Sequence, residues 1–440
     1  MADYRIARKR KKLERHPPGD TGRAKALYNL ADSLDVRFVE MDDLAHLEEP
    51  LRYIKHRWTS VRRVIPIART HSIVSQSASA AGTTNRVPQQ TWKRPSHSVE
   101  LHSPGHPWRA STLCNLANDL TNRFRKFGAN GDLDEAILLH QSALDLRPPG
   151  HPYRSDSLHG LAVCFSDQYD NQGAIANLEE AIALGRAALK LRSPGYSDRA
   201  STLYNLASDL RDRFMRLHTD FDLQEAIFLH QSALALRPAG HSDQSSSVHN
   251  LALCFSNRYD KQGAIADLQE TIALGRAALQ LRSPGHFGRA TTLYNLASDL
   301  RDRFLKLDTD CDLHEAISLH QSALDFRPAG HSYRSDSLHG LAVCFSDQYD
   351  KQGTIADLEA ATTLARAALE LRSAGHSDRA TTLYNLAIYL SDKYLKFGAN
   401  GDLDEAISLH RSALDLRPAG HRDRLSSQSA IITQPVGELS

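Results

Sequence analysis

Apolar residues recur along most of this chain at spacings of three and four, which predicts helices with one buried face. One helix is marked by residues at i, i+3, i+4 and i+7, namely Leu203, Leu206, Ala207 and Leu210. A second helix follows about ten residues later, and its apolar positions are Leu223, Ala226, Ile227, Ala233, Leu234 and Leu236. Neither stripe can be buried by one helix alone, so each pair must pack on neighbouring pairs.

This pair of helices recurs every 45 residues. The period is marked by glycines at Gly105, Gly150, Gly195, Gly240, Gly285, Gly330, Gly375 and Gly420. Seven complete repeats lie between the first and the last of these glycines. They alternate in kind: A repeats contain phrases such as "RATTLYNLASDLRDRF", and B repeats contain "RSDSLHGLAVCFSDQYD". The pattern predicts an all-α, right-handed solenoid of helix-turn-helix repeats.

Two local signals define the second helix. Asp222 and Glu225 are spaced as a capping box, which predicts that the Asp side chain accepts a hydrogen bond from a backbone N–H at the helix start. The same spacing returns at Asp132, Asp312 and Asp402. Pro238 and Gly240 then end the helix, because proline cannot continue it and glycine accepts a left-handed φ.

The spacing within each helix resembles the tetratricopeptide repeat. Leu203-x2-Leu206-Ala207-x2-Leu210 and then Ala226-x3-His230 and Pro238 follow that family's signature. The phrase "GHSDRATTLYNLA" at Gly375 is similar to kinesin-light-chain-type repeats, and "RPAGH" with "DLDEAI" resembles long repeats of fungal proteins found beside a caspase-like (CHAT) peptidase domain. The resemblance implies a protein-binding groove lined by the first helices.

The repeats define the predicted domains. Residues 1–60 form a degenerate N-terminal repeat of the same type, and residues 61–100 are rich in Ser, Thr, Gln and Asn, which predicts a disordered, low-complexity linker. Residues 101–421 hold the seven repeats, and residues 422–440 begin a further repeat without completing it. This ending leads us to expect a fragment of a longer repeat protein.

Charge and cysteine content narrow the function classes. The 53 basic and 52 acidic residues nearly cancel, which disfavours nucleic-acid binding. No apolar run is long enough to span a bilayer, and "MADYRIARKRKKLER" lacks the apolar core of a secretory signal. Five cysteines without a CxxC pair favour a reduced, cytoplasmic protein. The basic run at Arg8–Lys12 is compatible with a nuclear signal, but a solubilising helix end is the simpler interpretation.

Candidate catalytic and metal sites are mostly explained by packing. The second helices of A repeats carry a histidine where those of B repeats carry Gly185, Gly275 or Ala365. We interpret this as an alternation of large and small packing residues, and the histidines are His140, His230, His320 and His410. Asp308, Asp310, Asp312 and Glu315 lack the glycine and distal glutamate of a calcium loop. The sequence contains no common catalytic motif. We therefore expect no enzymatic activity, no metal and no cofactor.

A second stripe on the first helices lies off the core. By resemblance, its asparagines correspond to the groove residues that hold a peptide backbone in this family. The predicted peptide-binding residues are Asn115, Tyr204, Asn205, Ser208, Arg211, Asn250, Tyr294, Asn295, Ser298, Arg301, Tyr384 and Asn385, with Asn29 as a further match. Gly160 and Gly340 interrupt the stripe in two B repeats. The alternative is that these asparagines only bond neighbouring repeats.

The sequence thus predicts a non-enzymatic scaffold that binds a peptide or partner protein of unknown identity. The alternative function is the sensor region of a caspase-like (CHAT) protease or immune-type signalling system whose catalytic domain is absent from this chain. A helical-repeat RNA-binding protein ranks third, because the charge is balanced.

Overall fold

The computed structural model describes residues 106–237, 239–417 and residue 424. The predictions for residues 1–60, for the linker at 61–100, for Asn29 and for the basic run at Arg8–Lys12 fall outside this range. So does the predicted C-terminal tail, apart from Arg424. The chain divides into two compact bodies, of which the first ends at Asp209 and the second begins at Leu210.

All regular structure in the described residues is helical. The N-terminal body contains α1 (Arg109–Phe127), α2 (Asn130–Asp145), α3 (Arg154–Gln172), α4 (Ile175–Leu191) and the first part of α5 (Arg199–Leu217). The C-terminal body contains the rest of α5 and α6 (Asp220–Ala235), α7 (Gln244–Gln262), α8 (Ile265–Leu281), α9 (Arg289–Leu307), α10 (Asp310–Asp325), α11 (Arg334–Gln352), α12 (Ile355–Leu371), α13 (Arg379–Phe397) and α14 (Asn400–Asp415). Odd numbers are the first helices of repeats, and even numbers are the second helices.

Second helices pack on their own first helix and on the first helix of the next repeat within a body. In the N-terminal body α2 contacts both α1 and α3, and in the C-terminal body α10 contacts both α9 and α11. Successive first helices also touch one another directly, as α1 does with α3, and α11 with α9 and α13. The predicted all-α, solenoid-type stacking is confirmed within each body.

The predicted core stripe of the first helix is confirmed. Leu203, Leu206 and Ala207 are buried in the N-terminal body, as are Leu223 and Ala226 in the C-terminal body. The prediction for Leu236 is wrong, because this residue follows the last turn of α6 and its side chain is 44% exposed. Gly240 has a φ of 86°, as expected at a helix end, whereas Pro238 is outside the described residues.

The predicted capping box is also wrong. The N-cap of α6 is Thr219, which makes no side-chain cap bond, and Asp222 lies inside the first helical turn. The Asp222 carboxylate accepts two hydrogen bonds from Arg213, at 2.8 and 2.6 Å. A bidentate, charged donor outcompetes a backbone N–H for the carboxylate. The corresponding carboxylates also face a cation nine residues earlier in the chain: Asp132 faces Arg123, Asp312 faces Arg303 and Asp402 faces Lys393.

Candidate peptide-binding face

The first helices have a polar side opposite their buried side. On α9, Asn295, Ser298, Asp302 and Leu305 follow one another at i, i+3, i+7 and i+10, so they lie on one side of the helix. Residues at the same positions of each odd-numbered helix form what we call the first-helix face. Because α1 contacts α3, and α11 contacts both α9 and α13, this face continues between those repeats.

The predicted asparagines of the N-terminal body are half-buried and unbonded. Asn115 on α1 and Asn205 on α5 are half-buried. Their side-chain amides make no hydrogen bond to any residue that the structure describes. The alternative, in which these amides serve to bond neighbouring repeats, therefore has no contact to support it at these positions.

In the C-terminal body the same holds for Asn295 on α9 and Asn385 on α13. Both residues are half-buried, and neither amide is hydrogen-bonded within the described part of the chain. Asn250 on α7 is also half-buried, but it interacts with another protein group. The two unbonded amides are therefore the stronger candidates in this body.

The predicted tyrosines pack against other side chains of the protein. The Tyr294 ring meets His320 edge to face at 5.2 Å between centroids, and the Arg327 guanidinium lies 5.3 Å from its ring centre. Tyr384 makes the corresponding contact with His410, at 5.4 Å. Tyr204 is half-buried and has a protein partner of its own. The rings of Tyr294 and Tyr384 therefore pack within their own hairpins.

The predicted serines and arginines also have partners. The Ser208 and Ser298 hydroxyls each donate to a backbone carbonyl of their own helix, four residues earlier, at 3.1 Å. Arg211 donates to Asp212, at 2.8 Å. Arg301 binds the Asp347 carboxylate of the next first helix with two donors, one of them at 3.1 Å. Among the predicted residues, Asn115, Asn205, Asn295 and Asn385 have carboxamides without a hydrogen bond to the described residues.

The two glycines that interrupt the stripe accommodate the buried histidines. A Cβ on Gly160 would lie 2.3 Å from Cε1 of His140, and one on Gly340 would lie 2.6 Å from Cε1 of His320. Both imidazoles are almost fully buried. Burial is the main cause that lowers the pKa of His140 to about 4 and of His320 to about 3. The histidines are therefore neutral packing residues, as we interpreted them.

Seven buried arginines were not predicted from the sequence. Each is the arginine of the "LxLRP" or "LxLRS" phrase or its equivalent, and it is buried in all seven repeats: Arg147, Arg192, Arg237, Arg282, Arg327, Arg372 and Arg417. Arg372 donates to the carbonyl of Asp378 at 3.1 Å, to the Thr382 hydroxyl and to Asp336 at 2.9 Å. A second arginine, Arg379, donates back to the carbonyl of Arg372. The feature of the sequence that marks these buried arginines is an arginine at one position of every repeat, directly after an apolar run.

One group of side chains has the composition of a metal site. Ligand atoms of Asp336, His376 and Asp378 all lie within 4.8 Å of one another. However, Nδ1 of His376 accepts the Asp378 backbone N–H, which places the proton of the neutral ring on Nε2. In the N-terminal body the corresponding position is Tyr196, whose hydroxyl donates to Asp156 at 3.3 Å. The group fits a hydrogen-bonded turn and not a set of metal ligands.

The turn that resembles a calcium loop is neutralised by the protein. The Lys351 ammonium reaches Asp308 at 2.6 Å and also contacts Asp310, while Arg303 binds Asp312 at 2.6 Å. These cations occupy the carboxylates that a calcium ion would need.

Carboxylates on the first-helix face of the C-terminal body interact with one another. Burial raises the pKa of Asp302; Arg301 and Lys306 oppose this rise, whereas Asp260 and Asp347 add to it. Burial and then Asp350 raise the pKa of Asp392 to about 6. Asp299 lies beneath this face, where burial raises its pKa to about 7 although Ser256 donates to it at 3.0 Å. This region therefore has closely spaced carboxylates whose ionisation is disfavoured by burial.

Comparison with known protein families identifies the type of the first described repeat. Residues 109–153 match the family model described as "Tetratricopeptide repeat". This segment contains α1 and α2, and the six later repeats share its period and helix order. The first repeat is thus of the tetratricopeptide type, and the later repeats resemble it in period and helix order.

Several solved structures are similar at low identity. One is the C-terminal part of a tetratricopeptide repeat protein from Cytophaga hutchinsonii, with 15% identity, a TM-score of 0.42 and coverage of 71% of this chain and 98% of that chain. Another is a kinesin light chain-type protein from Podospora anserina with nearly identical repeats, with 21% identity, a TM-score of 0.34 and coverage of 49% and 97%. A third, YrrB, is described as having an unusual peptide-binding site, with 15% identity, a TM-score of 0.35 and coverage of 56% and 96%. No curated protein matches the chain at a significant level.

None of the helices in the described ranges combines the length and the apolar character that crossing a bilayer requires.

Proposed function

We propose that the first-helix face binds an extended peptide segment of a partner protein, and that the chain acts as a scaffold without catalysis. The observation that carries this proposal is the set of half-buried, unbonded asparagine amides, at Asn295 and Asn385 in the C-terminal body and at Asn115 and Asn205 in the N-terminal body. A carboxamide offers both a donor and an acceptor, which is what a peptide backbone requires.

The position of these amides supports backbone recognition. Each amide lies on a rigid helix, and the side chains around it are held by protein contacts: Ser298 by its own helix and Tyr294 by His320. A preorganised amide loses little conformational entropy when it binds, so more of the hydrogen-bond energy appears as affinity. Each bond to a peptide is expected to contribute roughly 0.5–1.5 kcal/mol.

The state of the cysteines supports a non-catalytic role. Burial raises the pKa of the Cys164 thiol to about 11 and of the Cys254 and Cys344 thiols to about 12. A nucleophilic cysteine requires a lowered pKa and access to substrate. The sensor-region function beside a caspase-like protease stays a prediction, and so does the cytoplasmic location.

The proposal is tested by photo-crosslinking. Peptides that bind the full-length chain are first selected from a displayed random library. A benzophenone amino acid is then placed at Ser298, on the first-helix face, or at Ser318, which is exposed on the second helix α10. Selected peptides should crosslink from position 298 and not from position 318. Crosslinks from position 318 alone would place the binding surface on the other side of the hairpins and contradict the proposal.

A further inference from the structure

A histidine stands directly before the asparagine position on the first helix of every B repeat. It is His159 on α3 in the N-terminal body, and it is His249 on α7 and His339 on α11 in the C-terminal body. On α3 and α11 the asparagine position itself is Gly160 or Gly340, which has no side chain to offer a ligand. His159 and His339 are therefore next to the two glycines that interrupt the asparagine stripe.

His339 lies on the first-helix face of α11 and not on its core side. His339, Val343 and Asp350 follow one another at i, i+4 and i+11, so they lie on one side of the helix. Val343 and Asp350 occupy the positions that Ser298 and Leu305 have on α9, and these positions belong to the first-helix face. His339 and Val343 are half-buried, and Asp350 is exposed.

The imidazoles of the B repeats are not used by the fold as hydrogen-bonding groups. None of the three makes a hydrogen bond to a residue that the structure describes. Nδ1 of His339 is buried without a partner, and His249 is unbonded although its side chain is only 9% exposed. A buried polar atom without a partner costs free energy, and a ligand that bonds to it removes this cost.

These rings are neutral near pH 7. Burial is the main cause that lowers the pKa of His339 to about 4 and of His249 to about 3 in the C-terminal body. In the N-terminal body burial likewise lowers the pKa of His159 to about 3. A neutral imidazole has one N–H donor and one acceptor nitrogen. It therefore offers a peptide backbone the same two kinds of group as a carboxamide does.

We propose that the B-repeat histidines bind the same extended peptide as the asparagines, so that every repeat contributes one neutral polar side chain to the peptide backbone. In the C-terminal body the contributing residues are, in order, His249, Asn295, His339 and Asn385. In the N-terminal body they are Asn115, His159 and Asn205. This inference rests on the proposed function, because it adds residues to the site that binds the peptide. The polar row then continues past Gly160 and Gly340.

A contact from every repeat sets the spacing of the bonded peptide groups. Packed helices lie about 8–10 Å apart, and α11 contacts both α9 and α13. An extended chain advances about 3.3 Å per residue, so bonded backbone groups should recur about every three residues. The unbonded asparagines alone come from alternate helices, and they would give one contact about every six residues.

The test uses a peptide that has been selected from the displayed library on the full-length chain and that crosslinks from position 298. Each backbone amide of this peptide is replaced in turn by an ester, which removes the N–H donor and weakens the carbonyl acceptor. Fluorescence anisotropy should show ester-sensitive positions about every three residues along the peptide. His339→Phe should weaken the all-amide peptide about fivefold and make one of these positions insensitive to the ester.

Matched variants separate binding from folding. His339→Phe is expected to fold, because A repeats carry Tyr294 at this position opposite His320, and the equivalent of His320 in the B repeat is the smaller Ala365. Its urea midpoint should not fall, since a buried nitrogen without a partner is removed. His314→Phe makes the same change at an exposed position on the second helix α10, and it should leave the affinity unchanged. His339→Gln keeps a donor and an acceptor, and it should recover part of the affinity.

Three results overturn the proposal. The first is an unchanged affinity of His339→Phe, and the second is an equal loss in His314→Phe. The third is a set of ester-sensitive positions that recur only about every six residues. The same criteria apply to His249→Phe if His339→Phe does not fold. Binding that is lost in Asn295→Ala/Asn385→Ala but is unchanged in His339→Phe would leave the proposed function standing while removing this inference.

Discussion

The imidazole of His320 lies directly against the backbone of Gly340, on the first helix of the next repeat. A Cβ added to Gly340 would come within 2.6 Å of Cε1 and within 3.0 Å of both ring nitrogens. Glycine in mid-helix costs about 1 kcal/mol relative to alanine, so this position gives up helix stability to admit the ring.

Gly340→Ala is therefore expected to destabilise the chain, by roughly 1–3 kcal/mol through overpacking, despite the better helix propensity of alanine. Urea denaturation followed by circular dichroism measures the change. Gly185→Ala is the matched control, because its Cβ would meet Leu206 at an ordinary 3.5 Å. That variant should be neutral or stabilised by up to about 1 kcal/mol. Similar responses at both glycines would show that the His320 contact does not determine the packing.

Arg372 forms what we call the arginine clamp with the Asp378 carbonyl, the Thr382 hydroxyl and Asp336. Lysine is not expected to replace this arginine without a loss of stability. Arg372→Lys removes the planar fork that reaches the Asp378 carbonyl, the Thr382 hydroxyl and Asp336 together, and it leaves buried acceptors unpaired. The free energy of unfolding should fall by about 2–4 kcal/mol. Arg366→Lys, at an exposed arginine paired with Glu405, should change it by less than about 0.5 kcal/mol. A loss at Arg372 no larger than at Arg366 would contradict a structural role for the clamp.

His320 should make the free energy of unfolding depend on pH. Burial and then Arg301, Arg327 and His339 lower its folded-state pKa from 6.5 to about 3. The unfolded state then binds the proton more readily, so this contribution is complete above pH 6.5 and is lost as the pH falls towards 3. Between pH 7 and pH 5 the loss amounts to about 2 kcal/mol. His320→Gln does not titrate, so its denaturation midpoint should fall less than that of the unmodified chain over this interval, and equal falls would be inconsistent with a buried neutral imidazole.

Asp299 should change the free energy of unfolding with pH in the opposite direction to His320. Its folded-state pKa is raised from 3.8 to about 7, chiefly by burial. Its contribution is therefore present at low pH and is lost as the pH rises towards 7, by roughly 2–3 kcal/mol between pH 5 and pH 8. Asp299→Asn keeps a neutral side chain that accepts the Ser256 hydroxyl. The gain in stability of the variant relative to the unmodified chain should be larger at pH 8 than at pH 5. A pH-independent difference would mean that Asp299 is ionised in both states.

The helices and their period could be predicted from sequence because apolar spacing is a local property that recurs seven times. The role of His320 was also visible, since B repeats carry a small residue where A repeats carry histidine. The actual partner, Gly340, looked instead like a gap in the asparagine stripe, because the contact joins different repeats. The Arg372 clamp could not be predicted either, since its bonds depend on the path of the connection between repeats. Asp222 was misassigned because the competing donor, Arg213, is brought to it only by the hairpin.

The central claim is that asparagine amides of the first-helix face bind the peptide backbone. Its most direct test is the affinity of a selected peptide for Asn295→Ala/Asn385→Ala, measured by calorimetry beside Gln231→Ala/Gln321→Ala, which removes two exposed amides from second helices. We expect the asparagine pair to weaken binding by about 2 kcal/mol, roughly thirtyfold, without lowering the unfolding midpoint. The glutamine pair should leave affinity unchanged. An asparagine variant that is less stable yet binds the peptide with unchanged affinity would contradict the claim, because these amides would then serve only the fold.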